Sequence, residues 1–278
     1  MSARTFALTL AAMLAFASNS LLCRGALGAA EADATSFTSL RLASGALVLA
    51  LLARGRAAGD AGGGWASAFA LFVYAIGFSL AYLRIAAGVG ALLLFGAVQA
   101  TMLGGGLLRG ERPGGREWIG LALALAGLVI LTRPGLTAPD PLGAALMIGA
   151  GVAWGVYSLR GWGARPLPAN ASNFARSVPL ALLASLLALA LAPPRLTPAG
   201  AVLALISGGL ASGVGYAVWY AALRGLSAAQ AGIVQLSVPP LAAAGGALLL
   251  GETVTARLVA SGGLVLGGIA LAVTSRRG

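Results

Sequence analysis

The chain contains no histidine and no lysine, and its one cysteine is Cys23. Seven acidic residues stand against eighteen basic ones, and all eighteen are arginine. These shortages exclude whole classes of chemistry. With no imidazole and one thiol, the chain cannot build a His/Cys metal site, a Ser–His dyad or a Cys–His pair. A lone cysteine also rules out an intramolecular disulfide. No Asp or Glu falls in the middle of an apolar run, which argues against a proton relay built on an intramembrane carboxylate. No cofactor or metal is expected.

The scarcity of charge decides the solvent. Charged residues make up 9% of the 278 residues, where soluble domains carry about 25%. Hydrophobic residues make up 59%, and the mean hydropathy is +0.93. Such a chain cannot cover itself with a charged surface, so it is read as an all-α polytopic membrane protein whose partner is the lipid bilayer. The net charge of +11 does not point to nucleic acid. The arginines sit singly or in pairs between apolar runs, the pattern of the positive-inside rule.

What the chain has in abundance is apolar runs close to the ~20 residues that span a bilayer. Ten are expected: 5–23, 34–53, 65–83, 86–108, 117–131, 142–159, 171–192, 199–223, 228–250 and 256–274. The first could be a signal peptide, with small residues over 25–30, but Arg24–Gly25 resembles Arg160–Gly161 deep inside the chain, which argues for retention. The segment 133–141 holds three prolines and a glycine and divides the chain into halves, 1–136 and 137–278.

The halves are related. From Gly96 to Arg116 and from Ser237 to Arg257, seven of 21 ungapped positions are identical, including Gly110–Glu111 against Gly251–Glu252 and Arg116 against Arg257. This reads as an internal duplication. Five spans per half is an odd number, so the second half must insert upside down, giving two inverted-topology repeats with a site expected between them near the midplane. With the N-terminus inside, eleven loop arginines fall on the cytoplasmic side and five on the other. Both termini are therefore expected in the cytoplasm.

The candidate binding residues are aromatic and amide side chains inside the runs. Tyr74, Phe78 and Tyr82 are four apart and share a helix face; Trp154 and Tyr157, like Tyr216 and Trp219, are three apart. An interfacial aromatic belt suits Trp65, Trp118 and Trp162 at span ends. A buried phenol or indole in mid-bilayer needs a hydrogen-bond partner, so the inner group lines either a shared cavity or a helix seam. Asn19, Gln99, Gln230 and Gln235 are either interhelical hydrogen bonders or contacts to a polar substrate; Asn19 and Gln99 lean to function and Gln230, near a helix start, does not. Pro239–Pro240 is expected to break the 228–250 span, as a plain kink or as the frame of a site. Arg41 lies roughly 10 Å into its span, with Arg176 at the matching place in the second half. An anchor at the outer rim is the favoured role and anion binding the second. Glu111 and Glu252, closing the runs 86–108 and 228–250, are expected to cap or pair with loops.

The L-L-R-G-E ending at Glu111 and the L-L-L-G-E ending at Glu252 resemble the drug/metabolite transporter (DMT) superfamily, EamA type. Ala15–Arg24 (A-F-A-S-N-S-L-L-C-R) resembles that family's first-helix signature, and Leu40–Arg41 its second-helix arginine. The first half lacks the tryptophan–glycine often seen in helix 1, which Trp154–Gly155 keeps, and Val98–Gln99 stands where the second half has Pro239–Pro240. The resemblance implies alternating access through a central cavity, with the fifth and tenth helices as peripheral supports. The aromatic content looks most like the YddG-type aromatic amino-acid exporters.

The implied function is an inner-membrane exporter of neutral or zwitterionic, aromatic or apolar amino acids. Asn19, Tyr74, Phe78, Tyr82, Gln99, Trp154, Tyr157, Tyr216, Trp219 and Gln235 are the substrate-binding candidates, with no catalytic residues and no metal ligands. The alternative keeps the fold and changes the cargo to a nucleoside, sugar, quaternary amine or drug. An intramembrane enzyme is disfavoured by the missing nucleophile–base pairs. A non-transporting scaffold would use Gly263-x-x-x-Gly267 for packing. Monomer and homodimer remain equally compatible with the sequence.

Overall fold

A computed structural model describes residues 2–54, 63–108, 110, 114–133, 135, 138–161, 165–226 and 234–275. Among them the chain is all-helical: α1 (Ala3–Gly28), α2 (Ala34–Ala53), α3 (Trp65–Tyr82), α4 (Ala87–Leu108), α5 (Gly115–Thr132), α6 (Pro141–Arg160) and α7 (Pro166–Leu189) come first. Then α8 (Pro198–Leu205), a π-helical stretch (Ile206–Val214) and α9 (Gly215–Leu223) form one continuous rod, followed by α10 (Val238–Leu250) and α11 (Ala256–Ser275). Seven helices, counting that rod as one, are long and apolar enough to cross a membrane; Trp118–Thr132, Val238–Leu250 and Ala256–Leu271 are shorter apolar helices.

Several helices start where the chain supplies an acceptor or removes a donor. Asp33 takes the amides of Thr35 and Ser36, Asp140 that of Gly143, and Thr197 that of Gly200. Pro141, Pro166, Pro198 and Pro239 stand in first turns, where a missing N–H costs nothing. That tolerance explains why α7 begins at Pro166, five residues before the expected start at Ala171. It also bears on Pro239–Pro240: Val234 and Gln235 are helical, a turn follows at Leu236–Ser237, and α10 opens with the proline pair in its first turn, so the helix is interrupted there as expected. Residues 227–233, including Gln230, lie outside the described residues, as do Glu111 and Trp162. The other departure is the π-helical stretch. Five of its nine residues are Gly or Ser, all buried, on a face packed against α1 and α2, and π-helical turns cluster at functional sites.

The main packing pairs are α2 with α7, α3 and α4 with α6, α1 with α9 and α10, and α4 with α10. α5 and α11 pack on each other, at the periphery. Leu47 on α2, Leu182, Leu183, Leu186 and Leu187 on α7, and Ile119, Leu125 and Val129 on α5 point outward. Contiguous apolar surface of this kind requires a nonaqueous neighbour. The buried interior runs from Phe37 and Leu42 through Tyr74, Phe78 and Met147 to Phe174 and Tyr216.

Candidate functional site

The aromatic residues of α3, α6 and α9 meet in the interior. Helical spacing puts Tyr74 and Phe78 on one face of α3, with ring centroids 5.4 Å apart. Trp154 of α6 lies 4.8 Å from Tyr74, 5.3 Å from Tyr157 and 5.5 Å from Tyr216, stacked on the last two. Phe16 of α1 and Phe174 of α7 meet Tyr216 edge-on at 5.9 and 6.0 Å. Phe16 and Phe174 were not among the sequence candidates, because an isolated phenylalanine in an apolar run carries no signal of its own. Tyr74, Phe78, Tyr157 and Tyr216 are buried, and Trp154 is half-buried. These rings are an interior cluster and not an interfacial belt.

The remaining candidates sit apart from Trp154. Tyr82 packs edge-on against Phe78 at 4.7 Å and donates its hydroxyl to the Ala87 carbonyl at 3.3 Å, so it closes the cluster at one end. Trp219 belongs to a second apolar cluster with Ala12, Met13, Ala91 and Val238, and reaches the first through Phe16. Gln99 is half-buried on α4, and Gln235 is half-buried just before the turn that precedes α10. The Asn19 carbonyl accepts from Ser207 Oγ at 2.5 Å, and its amide donates to Ser212 Oγ at 3.4 Å. Both partners belong to the π-helical stretch. Asn19 therefore ties α1 to that stretch, the interhelical bonding that a buried amide in a span offers.

Arg41 departs furthest from expectation. It is 2% exposed, on the interior face of α2, and is not an anchor at the rim. Its Nη2 donates to the Tyr74 hydroxyl at 3.0 Å, and its guanidinium lies 5.3 Å from the Tyr74 ring centre and 4.9 Å from that of Phe78. Arg176, its counterpart in the second half, is half-buried and bonds to Ser172 one turn back on its own helix. Of these two arginines at matching places in the sequence pattern, one is buried and the other is half-buried.

Two polar systems bracket the cluster. At the end where α1 and α3 finish, Arg24 Nε meets Glu252 Oε1 at 3.0 Å, and its Nη1 donates to the Tyr82 carbonyl at 2.9 Å. Glu252 Oε2 accepts the first amide of α4, from Ala87, at 2.8 Å. Gly251, at φ +65°, makes this possible by ending α10 in a left-handed turn that swings the glutamate round. The G-E motif thus does both: its backbone caps α10, with the Glu252 amide donating to the Gly246 carbonyl at 3.0 Å, and the Glu252 carboxylate links segments. Nearby, Asp33 exchanges backbone and side-chain bonds with Arg195, the Thr197 amide donates to the Glu31 carbonyl, and Arg84 lies 3.6 Å from Asp140. Burial pushes the Asp33 carboxyl up, but bonds from Ser36, Thr35 and the Arg195 amide outweigh it and hold the group at about 2.

At the opposite end, Tyr157 donates to Asn170 Oδ1 at 2.6 Å and accepts from Asn173 at 3.3 Å, while Asn170 Nδ2 donates to the Tyr220 hydroxyl at 2.9 Å. Asn173 Oδ1 accepts the Gly64 amide at 3.0 Å, tying α7 to the start of α3. Neither Asn170 nor Asn173 was among the sequence candidates: Asn170 lies one residue before the expected start of that span at Ala171, and Asn173 lies in its first turn. A cavity of about 510 Å³ between the first turn of α2 and the end of α7 shares no lining residue with the aromatic cluster.

Residues 141–274 match the EamA-like transporter family. The chain carries an EamA-like transporter domain. An uncharacterized protein of Pseudomonas aeruginosa is 57% identical over 278 residues, covering 99% of this chain and 96% of that one. An uncharacterized transporter of Archaeoglobus fulgidus is 26% identical over 213 residues, 75% of each chain. A crystal structure at 21% identity shares the fold, with a TM-score of 0.67 over 99% of both chains. With seven helices long and apolar enough to cross a membrane among the described residues, and residues 141–274 matching the EamA-like transporter family, the chain reads as a multi-pass membrane protein.

Proposed function

We propose that the protein is a secondary transporter that exports neutral aromatic and apolar amino acids across the inner membrane by alternating access. The observation that carries the reading is the buried run Tyr74–Trp154–Tyr216, which joins α3 of the first half to α6 and α9 of the second. Flat faces at 4.8 and 5.5 Å offer stacking to an aromatic or apolar side chain. Quaternary amines are the poorer cargo, because the Arg41 guanidinium stands against the same rings and repels a cation. No group in this site offers the nucleophile and base that chemistry on the substrate requires.

Ten spans in two inverted halves are the architecture behind it. The packing supports this, since exchanging the halves maps α3 on α6 to the α8–α9 rod on α1, and α4 on α6 to α10 on α1. The pairs α2–α7 and α5–α11 map onto themselves. With both termini cytoplasmic, the Arg24–Glu252 and Asp33–Arg195 contacts lie at the outer face. Release outward then requires these contacts to part, while the Tyr157–Asn170–Tyr220 network holds the inner end. Uptake of labelled Phe, Trp, Thr and Met into proteoliposomes tests the reading. Saturable uptake of several of them is expected; uptake no greater than in protein-free liposomes, with folded protein, overturns it.

A further inference from the structure

A second property of this site follows from Arg41 and rests on the transporter reading. The guanidinium is 2% exposed, yet it has one side-chain hydrogen bond, to the neutral Tyr74 hydroxyl, and its Nη1 has no partner among the described residues. The ion pairs found there are Arg24–Glu252 and Arg84–Asp140, neither involving Arg41. Glu31, Asp33, Asp140 and Glu252 all sit in loops or at helix starts with partners of their own. The ionisable groups that face Arg41 are Tyr74, Cys23 and Tyr216, none of them a carboxylate.

A buried cation without a counter-ion is expensive in a membrane and ordinarily finds one. Two aromatic faces offset part of that cost by cation–π attraction, but they leave the Nη1 hydrogens unused. A guanidinium is a planar fork that matches a carboxylate with two parallel bonds. The rings beside it suit an apolar or aromatic body attached to that carboxylate.

We infer that Arg41 is the anion-binding residue of the central site and that the transported molecule presents a carboxylate to it, beside an aromatic or apolar body held by Tyr74, Phe78, Trp154 and Tyr216. The carboxylate is shared by an amino acid and by a simple organic acid. Among the described residues no carboxylate faces Arg41's neighbourhood to receive an α-ammonium, so the site as described does not require the ammonium.

The test is equilibrium binding to purified protein of four labelled compounds: 3-phenylpropanoate, its neutral amide 3-phenylpropanamide, phenethylamine and phenylalanine. Wild-type protein is expected to bind 3-phenylpropanoate roughly thirtyfold or more tightly than the amide, and phenethylamine not at all. In Arg41→Gln the acid-to-amide ratio falls to about one, and Arg41→Lys keeps an intermediate ratio because it retains the charge without the fork. A merely structural Arg41 would leave the ratio of the variants unchanged. If Arg41→Gln does not fold, the wild-type ratio alone decides. Equal binding of acid and amide, or preference for the amine, overturns the inference. Binding of 3-phenylpropanoate without phenylalanine upholds it while removing the amino-acid reading; binding of phenylalanine and phenethylamine without 3-phenylpropanoate does the reverse.

Discussion

Replacing Glu252 by Gln should loosen one end of the molecule in a way that the native Cys23 reports. Glu252 accepts from Arg24 Nε at 3.0 Å and from the Ala87 amide at 2.8 Å, with side-chain exposures of 13% for the glutamate and 26% for the arginine. A fully exposed pair would contribute about 0.2–1 kcal/mol, and breaking a fully buried one costs about 3–5. This pair lies between, so the neutral amide should favour parting of this end by about 2 kcal/mol, which is roughly a thirtyfold change in the open population. Cys23 is fully buried and adjoins Arg24 in α1, and it is the chain's one thiol. If alkylation proceeds through the open form, its rate tracks that population. Purified Glu252→Gln should therefore react with a maleimide roughly ten to thirty times faster than wild type, and Arg24→Gln should behave alike. Unchanged labelling in both, with both proteins folded, would refute the idea that this contact restrains opening.

Other substitutions probe the scaffold. A Cβ on Gly208 would lie 1.9 Å from the Arg41 carbonyl oxygen, whereas one on Gly209 would meet Val48 at 3.4 Å. Gly208→Ala should cost about 1–3 kcal/mol or more and lower the melting temperature clearly, with Gly209→Ala near wild type. Asn170→Ala removes the acceptor of the Tyr157 hydroxyl and the donor to Tyr220 and should destabilise by about 1–3 kcal/mol, read by thermal melts in detergent. Asp33 is held at about 2 when folded, against about 3.9 unfolded. Its contribution is therefore complete above pH ~4 and is lost as pH falls toward ~2. Asp33→Asn should flatten the stability profile in that window; an identical acid profile would show that these bonds contribute nothing.

The membrane class was legible from residues alone because it depends on composition, while the peripheral place of the fifth and tenth helices came from the family resemblance. Tyr74 and Phe78 share a face as expected, since a four-residue step fixes it whatever the partner helix does, but their meeting with Trp154 of α6 is a matter of packing. Tertiary pairing was not legible. Asn19 carries the same signal whether it faces a substrate or Ser207 and Ser212, and only the placement of the π-helical stretch decides. Arg41 and Arg176 look equivalent in the duplicated pattern, yet one is buried among rings and the other bonds within its own helix. Glu252 shows the same limit. The glycine before it predicts a helix end, but its partners Arg24 and Ala87 lie 228 and 165 residues away. Pro239–Pro240 marked the interruption of its span, but not that α10 opens on the pair itself, because a proline pair ends one helix and begins the next equally well.

The measurement that bears most directly on the central claim is phenylalanine flux in proteoliposomes by wild type and Trp154→Ala over a range of concentrations. Trp154 touches Tyr74, Tyr157 and Tyr216, so its removal takes away the ring that joins the two halves of the site. Saturable wild-type flux, with the variant requiring at least about tenfold more substrate for half-maximal rate, is the predicted result, since base–aromatic and ring–ring stacking contribute on this scale. Saturable flux of equal KM and rate in a folded variant would contradict the aromatic site, and no flux in either would contradict the amino-acid assignment.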